Sequence, residues 1–123
     1  MQHICLVALG GALGSLARYK LSGLILQQAA QLKFPLGTFT VNILGCLVIG
    51  ALAGLAERSG SFSTEWRLFL FTGLLGGFTT FSAFGLETMM LVKQGEWVIA
   101  LSYISLSIIV GLALLFAGYY LLK

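Results

Sequence analysis

The sequence predicts an all-α membrane protein with four lipid-crossing helices, on three observations. Of its 123 residues, 59% are hydrophobic and 9% are charged, and the mean hydropathy is +1.00, a composition outside that of water-soluble domains. A span needs roughly 20 mostly apolar residues to cross about 30 Å of hydrocarbon, and runs of that length recur along the chain with short polar joints between them. The charges inside these runs are few and isolated. Little length is left over, so residues 1–123 read as a single transmembrane domain.

The first segment covers about residues 4–30. Met1-Gln2-His3 carries no Lys or Arg, and the apolar run behind it ends at Arg18 rather than at a small-residue cleavage site, so the segment reads as a retained span. It contains Arg18, Tyr19 and Lys20 and closes in Gln27-Gln28. The second segment, about 35–57, begins at Pro35, because a proline in the first helical turn gives up an N–H that has no intrahelical partner there. It reaches Glu57-Arg58. Ser59-Gly60-Ser61-Phe62-Ser63-Thr64-Glu65 is a serine-rich loop in which Ser63 or Thr64 can cap the next helix. The third segment, about 66–93, runs from Trp66 to Lys93. Gln94-Gly95-Glu96 forms a brief turn into the fourth, about 97–122, with Trp97 and the pair Tyr119-Tyr120 placed for the two membrane interfaces.

Sixteen glycines include the pairs Gly10/Gly14, Gly50/Gly54 and Gly73/Gly77, whose small-xxx-small spacing lets helix backbones approach closely. The basic residues give little orientation signal. Arg58, Arg67 and Lys123 fall on the side of the amino terminus, whereas Lys33 and Lys93, joined by Lys20, fall opposite. A small chain without bias can insert both ways, and two oppositely inserted copies can pair about a two-fold axis in the membrane plane. The expectation is therefore a dual-topology, antiparallel homodimer. Four short helices enclose little space, which places any aqueous path at the subunit interface.

Several function classes drop out. The net charge of +3 is scattered singly and leaves no nucleic-acid footprint. Cys5 and Cys46 lie far apart with no histidine cluster nearby, so neither a disulfide framework nor a cysteine–histidine metal site is indicated. His3 is terminal and the acids other than Glu87 sit near loops, so no catalytic constellation arises and no enzyme is expected.

Polar groups inside lipid-crossing helices are costly and usually face an interior or a wet cavity. The run from Gly73 to Glu87 concentrates glycines, hydroxyls, Phe81, Phe84 and an acid at mid-span. Paired glycines followed by Thr79 and Thr80 permit a helix break, whose freed carbonyls need protein, water or a cation; a straight helix with its hydroxyls bonded to the preceding turn is the alternative. Phe81 and Phe84 share a helix face, and their positive ring edges can line an anion site or simply pack. Asn42, deep in the second segment, can donate N–H groups to an anion or bond to a neighbouring helix. Arg18 and Glu87 are candidates to neutralise one another. Arg18 suits an anchor or a vestibule, since a fixed full charge binds a small anion too tightly for fast passage. Tyr103 and Ser107, at i and i+4 on a face that Gly111 continues, can form a polar track.

The runs Gly10-Gly11-Ala12-Leu13-Gly14-Ser15-Leu16-Ala17-Arg18-Tyr19, Gly37-Thr38 through Asn42 to Gly45, and Gly76-Gly77-Phe78-Thr79-Thr80-Phe81-Ser82-Ala83-Phe84 resemble the fluoride channel family called Fluc or CrcB. The resemblance covers essentially the whole chain. It implies a dual-topology homodimer with two fluoride pores at the interface, a third helix broken near its middle and a structural sodium ion near the two-fold axis. Gly76 and Thr79 would then offer backbone carbonyls to sodium. Phe81 and Phe84 would edge the fluoride path, Asn42 would donate to it, Thr80 and Ser82 would assist, and Tyr103 and Ser107 would match the polar track. Gly111 departs from that track, where the family often has a hydroxyl. The implied function is passive fluoride export across the inner membrane of a prokaryote. Competing classes are a small proton-coupled multidrug exporter, which needs a membrane-embedded acid such as Glu87, and a non-transporting assembly subunit.

Overall fold

The computed structural model describes residues 1–60 and 62–123; Ser61, part of the expected serine-rich loop, lies outside the described residues. Among the described residues, four helices are long and apolar enough to cross a membrane, at Gln2–Gln28, Leu36–Arg58, Thr64–Lys93 and Trp97–Leu122. The first two are continuous and form α1 (Gln2–Gln28) and α2 (Leu36–Arg58). The third comprises α3 (Thr64–Arg67), a π-helical stretch (Leu68–Leu75), α4 (Gly76–Phe78) and α5 (Phe81–Lys93), and the last is α6 (Trp97–Leu122).

Local chemistry sets the ends. Pro35 stands at the N-cap, one position before α2, and its carbonyl accepts from the Phe39 N–H at 3.0 Å. The third span starts at Thr64, two residues ahead of the expected Trp66, because Ser63 supplies the cap: its hydroxyl accepts the Trp66 N–H at 3.3 Å, with Glu65 in the positive first turn. α1 is shifted in the same direction, beginning at Gln2 and ending at Gln28. α5 ends in a Schellman motif. Gly95 takes φ +78, its N–H bonds to Val92, and the Glu96 N–H bonds to Leu91, a left-handed closure that glycine adopts without a Cβ penalty.

Helices pair through the glycines. α1 packs along the first half of the third span, and α2 along α6. A Cβ on Gly10 would stand 2.6 Å from the Phe69 carbonyl, one on Gly77 would stand 2.6 Å from the Gly11 carbonyl, and one on Gly14 would run into the Leu74 carbonyl. Gly50 and Gly54 meet Leu115 and Tyr119 of α6 in the same way. All three small-xxx-small pairs are therefore backbone contact surfaces. Few side chains are enclosed; Val41 and Tyr103 are fully buried, while apolar residues such as Leu16, Leu24, Ile109 and Leu121 face outward.

Between α4 and α5 the backbone is extended, with Thr79 at φ −89, ψ 157 and Thr80 at φ −151, ψ 118. Ahead of it, the π-helical stretch widens the spiral: the Gly76 N–H reaches back to the Phe71 carbonyl as well as to Gly73. Runs of this kind are uncommon and often adjoin functional sites.

Candidate functional site

The extended pair Thr79-Thr80 interrupts the hydrogen-bond ladder within a lipid-crossing span, where each backbone polar group needs a partner. The Thr80 N–H donates to Asn42 Oδ1 at 2.8 Å, and Asn42 Nδ2 donates to the Thr80 carbonyl at 3.0 Å. One amide side chain on α2 thus satisfies both backbone groups of one residue. Of its two N–H donors, one is spent here and one is left over. The Thr80 hydroxyl caps α5 by accepting from the Ala83 N–H at 3.1 Å and lies 3.3 Å from Ser82 Oγ. Thr79 turns back on its own helix, both its N–H and its hydroxyl donating to the Leu75 carbonyl. With the Thr80 N–H committed to Asn42, the Gly76 carbonyl loses its usual donor four residues on, and the Thr79 carbonyl has no hydrogen-bond partner among the described residues.

A cavity of about 410 Å³ opens beside this segment. Asn42, Gly76, Thr79, Thr80, Phe81, Phe84 and Ser107 all contribute to its wall, so most of the residues singled out from sequence converge on one space. Ser107 Oγ is buried there without a partner among the described residues. Phe81 is 83% exposed and leans on Phe84 with ring centroids 5.7 Å apart. Phe84 contacts Tyr103 in turn, at 5.0 Å.

The charged residues are arranged differently from the sequence expectation. Arg18 and Glu87 do not pair. Arg18 Nε donates to the Gly77 carbonyl at 3.1 Å, bonding the last turn of α4 to α1. Glu87 accepts from Thr38 Oγ1 at 3.0 Å and from the Tyr103 hydroxyl at 3.2 Å. Tyr103 therefore directs its hydroxyl to Glu87 rather than along a track with Ser107, which faces the cavity. Ser82 also lies outside the cavity wall. Thr38 was not singled out for a role, although it sits one turn before Asn42 on the same helix. The Gly77 carbonyl, a backbone group, leaves no side-chain signal at all. Gly111 brings α6 close to α2, since a Cβ there would lie 3.4 Å from Cys46 Sγ.

The family model described as CrcB-like protein, Camphor Resistance (CrcB), matches residues 5–119. Among curated relatives, a protein of Methylobacillus flagellatus named fluoride-specific ion channel FluC is 59% identical over 123 residues, covering 100% of this chain and 96% of the relative. Relatives of the same name are 49% identical over 118 residues in Nitratidesulfovibrio vulgaris, covering 96% of this chain and 94% of that one, and 52% identical over 120 residues in Paracoccus denitrificans, covering 96% and 93%. A family match over nearly the whole length, on a chain with four membrane-length helices, places this multi-pass membrane protein in the CrcB family.

Proposed function

We propose that this protein is a fluoride-selective ion channel that lets fluoride leave the cell passively, working as an antiparallel homodimer with two pores at the interface in the inner membrane of a bacterium. The observation that carries the reading is the convergence of Asn42, Phe81, Phe84 and Ser107 on one cavity beside the extended Thr79-Thr80 segment, in a chain whose relatives bear the fluoride-channel name.

Fluoride gives up strong hydration on entering a narrow path, so the wall must replace water with donors at short range. The second Asn42 N–H is available for this, and the Ser107 hydroxyl is a further donor without a competing partner among the described residues. The edges of Phe81 and Phe84 carry the positive part of the aromatic quadrupole and add weak attraction without a fixed charge. A cavity wall that offers donors and, among the described residues, includes no Lys or Arg binds the anion and releases it again. Arg18, held on the Gly77 carbonyl, serves as an anchor beside the path.

The same reading includes a structural sodium ion. A hard cation prefers oxygen ligands, and the Gly76 carbonyl, without its usual Thr80 donor, and the Thr79 carbonyl, without a hydrogen-bond partner among the described residues, fit that chemistry. Sodium bound there would neutralise the negative ends of the carbonyl dipoles and hold two chains together through the third span. The exposed Phe81 and the open cavity fit a second copy covering this face.

The test is fluoride efflux from liposomes holding the purified protein, followed with a fluoride electrode. Wild type is expected to release fluoride rapidly, and Phe81→Ile to release it slowly while eluting as the same oligomer. Equal efflux from the two would remove Phe81 from the path; no efflux from folded wild type would overturn the channel reading.

A further inference from the structure

A second cavity, of about 470 Å³, lies at the end of the bundle where α1 passes into α2 and α5 into α6. Its wall includes Ser22, Lys33, Thr38, Glu87 and Gln94. Side-chain contacts connect it to the first cavity. Phe84 lines the first and packs on Tyr103, whose hydroxyl donates to Glu87, which lines the second. Among the described residues of the second wall, Lys33 is the one cation and Glu87 the one anion. The Lys33 ammonium in turn donates to Glu96, which lies just beyond the wall at the start of α6. The Lys33 side chain is 64% exposed and that of Glu96 28%.

On the channel reading above this second cavity is an aqueous mouth of the conduction path, and we propose that the Lys33–Glu96 pair sets the fluoride concentration at that mouth. The inference rests on the channel reading above and assigns it an electrostatic control. An anion entering the mouth meets the Glu87 carboxylate in the wall, whose two oxygens already accept from Thr38 and Tyr103. Lys33 supplies the attraction that offsets this repulsion, and Glu96 masks Lys33. Removing either member changes the net charge of the mouth, in opposite senses. Removing both restores the balance of the intact pair. Charges at this exposure act through solvent, so the effect is screened by salt, with a Debye length of about 30 Å at 0.01 M and about 3 Å at 1 M.

The experiment is the fluoride current per channel in planar bilayers at about 50 mM and about 1 M ionic strength, for wild type, Lys33→Gln, Glu96→Gln and the double variant. At low ionic strength Glu96→Gln is expected to raise the current roughly twofold and Lys33→Gln to lower it roughly twofold. The double variant is expected to stay close to wild type, and all differences are expected to shrink at high salt. Conducting wild type with unchanged single variants, with both singles shifted in one direction, or with shifts indifferent to salt overturns the proposal and leaves the channel reading standing. A folded wild type that passes no fluoride overturns both.

Discussion

At the scale of single residues, Asn42 is tied to the third span by two hydrogen bonds. Its carbonyl and one N–H hold both backbone groups of Thr80, so Asn42→Ala removes two hydrogen bonds and strands two backbone groups in a lipid-crossing span. Each unsatisfied group costs about 1–3 kcal/mol, and thermal unfolding in detergent is expected to show a loss of at least that size together with reduced fluoride efflux. Both uses of this amide, interhelical bond and donor to an anion, were open in the sequence; tertiary placement shows the bonds to Thr80, and donation to an anion belongs to the proposed function. The partners that Arg18 and Glu87 take instead of one another were not legible, because they are a backbone carbonyl and two hydroxyls brought in from other helices. A double-mutant cycle checks this. Arg18→Met and Glu87→Gln are expected to add within about 0.5 kcal/mol, whereas Glu87→Gln and Tyr103→Phe are expected to couple by about 0.5–3 kcal/mol.

At the scale of elements, the four spans were readable from hydropathy because lipid demands long apolar runs, and the serine cap of the third span was among the alternatives the loop sequence offered. The glycine pairs were readable for a related reason: without a hydrophobic force between helices, close backbone approach is what holds them together. The consequence is testable by contrast. Gly14→Leu and Gly50→Leu force side chains into the backbones of the third span and of α6, and folded protein is expected to be lost on size-exclusion chromatography. Gly23, with nothing within 4 Å of an added Cβ, is expected to accept alanine with a gain of roughly 0.5–1 kcal/mol in thermal unfolding, the helix-propensity difference between the two residues. The π-helical stretch Leu68–Leu75 was not legible. Its sequence, LFLFTGLL, is apolar on nearly every side, and such a run carries no period from which α and π spirals could be told apart.

At the scale of the whole molecule, one chain leaves a cavity and the highly exposed Phe81 open on a shared face, which gives the proposed second copy a place to bind. If sodium bridges the two copies through the Gly76 and Thr79 carbonyls, purification without sodium is expected to shift the detergent-solubilised protein toward monomer in size-exclusion chromatography with light scattering, and returning sodium to reverse the shift. The weak bias in lysine and arginine placement suggested two orientations from sequence, but the contacts between copies depend on surfaces that composition does not describe. The central claim is conduction that distinguishes fluoride from chloride, and its most direct test is the reversal potential of the purified protein in a planar bilayer with fluoride on one side and chloride on the other. The account predicts a current carried by fluoride, with a reversal potential far displaced toward the fluoride equilibrium value. A reversal potential near zero, with both anions carrying current, would contradict it.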